Sequence, residues 1–112
     1  MSGLSQVPEV PEVDVATLAR ARETGAVLLD VRRQVEWEEF RAPGAVLIPL
    51  AELADRVEEV PEGQTVYVIC RTGSRSAKGA AYLRSLGIDA VNVAGGSLAW
   101  VDAGLPVDSG TG

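Results

Sequence analysis

Thr65-Val66-Tyr67-Val68-Ile69-Cys70-Arg71-Thr72-Gly73-Ser74-Arg75 decides how the rest of the chain is read. Its first five residues are β-branched or aromatic throughout, the composition of a strand. Cys70 to Arg75 then form a short polar loop. From Arg75 to Leu86 the spacing of Gly79, Tyr82, Leu83 and Leu86 predicts a helix, with Gly87 at its C-terminal cap. A buried strand feeding a helix through a tight loop is the repeating unit of a parallel sheet.

The flanking segments follow the same plan. Asp14 caps an expected helix over Val15 to Glu23, ended by Gly25, and Ala26-Val27-Leu28-Leu29 reads as a buried strand. One helical turn is expected near Val35–Glu39, a turn at Pro43-Gly44 and a buried strand at Val46-Leu47-Ile48. Leu50, Leu53, Ala54 and Val57 form one stripe of an expected helix that stops before Pro61. Ala90 to Val93 is a further strand, and Ser97 to Ala103 a last short helix. Helices alternate with continuously apolar strands, which predicts an α/β fold with a mostly parallel sheet covered on both faces. The organisation expected is an extended lead-in over 1–12, one domain over 13–107 and a loose tail over 108–112.

Composition excludes several kinds of function. The chain has 112 residues, net charge −6, one cysteine and no histidine. An acidic chain of this kind is a poor partner for nucleic acid. No apolar run is long enough to span a bilayer, and Met1 to Val13 lacks the basic and apolar regions of a signal peptide, so a cytoplasmic protein is expected. Without histidine there is no Cys-His or Ser-His-Asp catalysis, and the common tetrahedral zinc sites cannot be assembled. Any chemistry at Cys70 has to activate its thiol by other means.

Position supplies such means. Ligands of parallel sheets bind at the carboxyl ends of strands, where helix N-termini present free N–H groups. A free thiol has a pKa of about 8.5, and lowering it by about two units asks for only ~2.7 kcal/mol. A helix N-terminus, a curl of loop N–H groups around Gly73, the hydroxyls of Thr72 and Ser74 and the guanidinium groups of Arg71 and Arg75 would all favour the anion. Gly63 to Ile88 contains no Asp or Glu, so this acidic chain keeps a cationic window around its one thiol. Taken singly, Cys70 would read as a small buried hydrophobe, and Arg71 and Arg75 as solvated or carboxylate-paired cations. Asp30 is expected to pair with a nearby arginine, Gly79 to allow close packing on the sheet, and Trp37 and Trp100 to pack in the core or at its edge.

With these residues in place, the chain resembles the rhodanese family from about Val13 to Val107. Leu28-Leu29-Asp30-Val31-Arg32 followed by Glu36, then Pro43-Gly44-Ala45 with Ile48-Pro49-Leu50, are similar to its first two signatures. Cys70-Arg71-Thr72-Gly73-Ser74-Arg75-Ser76 resembles the catalytic loop. Asn92-Val93, Gly95-Gly96, Ala99-Trp100 and Ala103-Gly104-Leu105-Pro106-Val107 resemble the C-terminal signature. The resemblance implies a five-stranded, mostly parallel sheet and a sulfurtransferase. Cys70 would carry sulfur as a persulfide between a small anionic donor such as thiosulfate and a thiol or cyanide acceptor. Arg71, Thr72, Gly73, Ser74 and Arg75 would hold the donor, with no metal or organic cofactor.

Phe40-Arg41-Ala42 stands where relatives often read Gly-His-Ile, a departure that bears on local packing and partner contacts. Three other functions are compatible with parts of the pattern. A sulfur relay would pass the persulfide to an acceptor protein through the same first half-reaction. A regulatory interaction module would have no use for the intact loop. Cysteine phosphatases and arsenate reductases use C-x5-R, whereas Cys70 and Arg75 are spaced C-x4-R, a tighter cradle. The acidic segment Glu52 to Glu62 is expected to be a solvated helix face.

Overall fold

In the computed structural model, which describes residues 10–111, Val66–Ile69 form the central strand of the sheet. The elements in chain order are β1 (Glu12–Val13), α1 (Val15–Glu23), β2 (Val27–Asp30), α2 (Gln34–Glu39), β3 (Val46–Leu47), β4 (Val66–Ile69), α3 (Ser74–Ser85), β5 (Ala90–Val93) and α4 (Gly96–Asp102). The five strands lie in the order β1-β5-β4-β2-β3, and every pairing between them is parallel. The expected α/β architecture is therefore the observed one.

Strand alternation sorts the core into two layers. Leu29, Val31, Val66, Val68 and Cys70 face α3, where they meet Ala80 and Leu83. Leu28, Ile69 and Val93 face the opposite side and pack with Leu18 of α1 and Trp100 of α4. Asp14 caps α1 as expected, its Oδ1 accepting from Thr17 N at 2.9 Å. Trp100 is buried, and its indole N–H donates to Pro106 O at 2.8 Å.

Four expectations are corrected. The helix expected over Leu50 to Val57 is two 3-10 segments, Leu50–Glu52 and Ala54–Glu59. Leu53 and Val60 are the buried residues there, while Ala54, assigned to the apolar stripe, is exposed. Arg56, at φ −123°, breaks any continuous α-helical path. It pairs instead with Glu52 and Glu59, so this segment presents the solvated acidic surface that was expected of it.

Glu12–Val13, read as lead-in and domain edge, is a strand, because β5 offers it a parallel partner: Asn92 N donates to Pro11 O and Ala94 N to Val13 O. Residues 1–9 of the lead-in lie outside the described residues. β3 is a two-residue edge strand whose Val46 is exposed, not a buried strand. The tail expected to be loose from Asp108 is tied down as far as Gly110. Asp108 exchanges two backbone hydrogen bonds with Arg41, and Gly110 N donates to Glu38 O.

Arg41 accounts for the Phe40-Arg41-Ala42 departure. Its guanidinium lies 4.6 Å from the Trp37 ring centroid and donates to Trp37 O and Gly110 O, so it binds the C-terminal strap to α2.

Candidate active site

The chain leaves β2 toward β3 on one side and β4 toward β5 on the other, which opens a crevice at the carboxyl ends of β2 and β4. Cys70 is the first residue after β4 and stands at that crevice. Its Sγ is buried and has three donor atoms within hydrogen-bond distance: Gly73 N at 3.1 Å, Ser76 N at 3.2 Å and Ser76 Oγ at 3.2 Å.

Local conformation makes this cradle. Gly73 has φ +109°, a left-handed geometry that curls the loop back so that its N–H points at the sulfur. Ser76 lies in the first turn of α3, where the backbone N–H has no intrahelical acceptor and is free to serve the sulfur. Behind the loop, the start of α4 holds its carbonyls: Ser97 N donates to Cys70 O at 2.8 Å and Leu98 N to Arg71 O at 3.1 Å. Gly96 has φ +61°, and a Cβ there would overlap the carbonyl oxygens of Cys70 and Arg71. Gly96 thus lets the Cys70–Arg71 backbone lie against the start of α4.

Burial pushes the Cys70 thiol up. The Ser76 hydroxyl and the N–H groups of Ser76, Gly73 and Thr72 pull it down, and together they leave it below the ordinary thiol value. Hydrogen-bond donors of the loop are the main source of that lowering. Arg75 is turned to Glu36 of α2, with Nη1–Oε1 at 2.7 Å and Nη2–Oε2 at 2.8 Å. Arg75 beside it holds the Glu36 carboxyl at about 2, and the carboxylate raises Arg75 in return. Arg71, Thr72 and Ser74 are exposed on the outer face of the loop, and among the described residues no side-chain hydrogen bond or ion pair holds Arg71. The six residues expected to form the site are therefore contiguous in space, with one uncompensated guanidinium in place of two.

Asp30 and Arg32, both buried, pair at 2.8 Å below the crevice as expected, and Arg32 Nη2 also donates to Phe40 O at 2.7 Å. Three contributors, Ser76, Glu36 and Asn92, stood within the quoted signatures but were not among the expected site residues. Asn92 is buried in β5, accepts from Ser76 Oγ at 2.6 Å and donates to Gly73 O at 3.2 Å. A buried amide in an otherwise apolar strand was the available signal. A surface groove lined by Val57, Gln64, Thr65, Leu86 and Asp89 lies at the other end of β4, away from Cys70. Among the described residues there is no cluster of three His, Cys, Asp or Glu that could hold a metal ion, and no helix long and apolar enough to cross a membrane.

Comparison with known proteins agrees with this geometry. The family model of the rhodanese-like domain matches residues 14–103. A sulfurtransferase of Allochromatium vinosum is 37% identical over 101 residues, covering 88% of this chain and 94% of that protein. An HTH-type transcriptional regulator of Mycobacterium tuberculosis is 39% identical over 98 residues, and the match spans 85% of this chain but only 43% of the regulator. Among solved structures, the crystal structure of a rhodanese-related protein from Thermoplasma volcanium superposes with a TM-score of 0.83 at 30% identity, covering 88% of this chain and 97% of that one.

Proposed function

The chain belongs to the rhodanese-like family, and from that premise we propose that it is a sulfurtransferase that carries sulfur on Cys70. In the first half-reaction the Cys70 thiolate attacks the outer sulfur of a donor of the thiosulfate type. The new S–S bond forms as the donor's own S–S bond breaks, and sulfite leaves with that electron pair. In the second, an acceptor thiolate or cyanide attacks the outer sulfur of the Cys70 persulfide, and the bonding pair returns to Sγ. No net oxidant or reductant is needed.

The observation that carries this reading is the convergence of Gly73 N, Ser76 N and Ser76 Oγ on a buried Sγ. Such donors favour sulfur as an anion, both as attacking thiolate and as leaving thiolate. Arg71 would meet the anionic donor, with the Thr72 and Ser74 hydroxyls beside it, and Gly73 would keep the loop curled. Arg75 would take part by loosening its bond to Glu36. A single thiol that works as a thiolate suits a reducing compartment, and the cytoplasm is our assignment.

A second reading, a relay that receives or hands on persulfide sulfur through a partner protein, is favoured by the Glu36–Arg75 pair. With one arginine neutralised, the loop is a weak site for a small dianion, and a protein-bound persulfide need not be one. The spacing of Cys70 and Arg75 speaks against phosphatase or arsenate chemistry. The test is thiocyanate formation from thiosulfate and cyanide by wild type and Cys70→Ser, repeated with a small-molecule thiol persulfide as donor. Turnover confined to wild type supports the proposal. Turnover with the persulfide and none with thiosulfate selects the relay. Activity that survives in Cys70→Ser rejects both.

A further inference from the structure

Ser76 has one hydroxyl proton and two acceptors for it. Its Oγ lies 2.6 Å from Asn92 Oδ1 and 3.2 Å from Cys70 Sγ. The Asn92 amide is oriented from its other end. Nδ2 donates to Glu12 Oε2 at 2.9 Å and to Gly73 O at 3.2 Å, and both of those atoms are acceptors only. Asn92 Oδ1 therefore faces Ser76 and can only accept. While Cys70 is a thiol, the consistent arrangement is a directed chain: Cys70 S–H donates to Ser76 Oγ, and Ser76 O–H donates to Asn92 Oδ1. Once Sγ is a thiolate it has no proton to give, and the Ser76 proton has to turn toward it. That turn leaves the buried Asn92 carbonyl without a donor.

We propose that Asn92 is a positioning residue that keeps the Ser76 proton off the sulfur until negative charge develops there. This rests on the proposed function only for its consequence in turnover. As an acceptor attacks the outer sulfur of the persulfide, the Sγ–S bond breaks and its pair collects on Sγ. The Ser76 proton then swings from Asn92 to Sγ, a hydrogen bond stronger in the transition state than before it. The same device restrains the resting thiol from ionising as fully as its other donors would allow.

The charged groups around the site are Arg71 in the loop, Arg75 on α3, Glu36 on α2, Asp30 and Arg32 at the end of β2, and Glu12 on β1. Exchanging Ser76 or Asn92 for an apolar residue alters none of these charges, so a pH profile reads the hydroxyl.

The experiment is the pH dependence of iodoacetamide alkylation of Cys70 in wild type, Asn92→Val, Ser76→Ala and the double variant. Asn92→Val removes the competing acceptor and is expected to lower the midpoint by about half to one pH unit. In the Ser76→Ala background the same substitution is expected to leave the midpoint in place, because there is no proton to release. A midpoint raised by Asn92→Val, or moved equally in both backgrounds, means that Asn92 only braces the Gly73 loop and overturns the proposal. A measurement on wild type stands beside it should a variant fail to fold. The one cysteine gives an unambiguous infrared S–H band, expected at lower frequency than a free thiol because S–H donates to Ser76 Oγ. A wild-type band at the free-thiol frequency overturns the proposal as well. Neither readout uses a sulfur donor, so failure here and failure of sulfur transfer are separate results.

Discussion

Arg75 and Glu36 meet in a two-bond fork, Nη1 on Oε1 at 2.7 Å and Nη2 on Oε2 at 2.8 Å, at the mouth of the crevice that holds Cys70. The pair joins α3, which follows the Cys70 loop, to α2, which follows β2. Glu36 Oε1 also accepts from Arg33 N at 3.0 Å and so caps its own helix. One carboxylate thereby sets both the shape of the site and its charge.

Glu36→Gln should release Arg75 for the donor. Removing one negative charge next to the cradle is expected to lower the KM for thiosulfate by about fivefold, the effect of roughly 1 kcal/mol of Coulomb energy near a surface. Steady-state thiocyanate formation checks this. An unchanged KM would mean that Arg75 does not meet the donor.

The same pair makes stability depend on acid. Glu36 is held at about 2, against its usual 4.5. A carboxyl lowered on folding contributes its full stabilisation above the unfolded value and loses it as pH falls through the folded one. Wild type should lose this contribution between about 4.5 and about 2. The difference in urea midpoint between wild type and Glu36→Gln should narrow over that window, and a constant difference would contradict the assignment.

Much of this was readable in the chain, and the parts that were not share a cause. The Cys70–Arg75 loop was legible because it is contiguous in sequence and its strand and helix carry strong local patterns, whereas Ser76, which supplies two of the three donors, was not singled out. Glu36 stands 39 residues from Arg75, and Glu12 stands 80 from Asn92. Local patterning contains nothing about such pairings. The pairing of Arg75 was not anticipated because Glu36, a carboxylate outside the acid-free window, folds back onto it. β1 escaped notice because the two residues after Pro11 have no strand signal of their own, and β5 makes them a strand. The 3-10 segments were misread because Leu50, Leu53 and Val57 fit either helical period over so short a span.

Gly96→Ala should damage the site through packing alone. Its Cβ would collide with the carbonyl oxygens of Cys70 and Arg71 at a left-handed φ of +61°. A loss of about 3 kcal/mol is expected from the clash and the backbone strain together. Urea denaturation measures the loss, and slower alkylation of Cys70 in the folded fraction would show the loop displaced.

Arg32→Met should cost more than any surface substitution. It leaves the Asp30 carboxylate buried without its partner, which is expected to destabilise the fold by about 4 kcal/mol. Asp30→Asn together with Arg32→Met should recover part of that loss, since no unpaired charge remains. Denaturant midpoints of the single and double variants decide it.

The central claim is that Cys70 is the atom on which sulfur travels. Intact-protein mass spectrometry of reduced wild type and Cys70→Ser after incubation with thiosulfate tests it most directly. Wild type should gain one sulfur atom, lose it again on addition of cyanide with release of thiocyanate, and Cys70→Ser should gain none. A sulfur adduct that forms on Cys70→Ser, or one on wild type that cyanide does not remove, would contradict a persulfide carrier at this position.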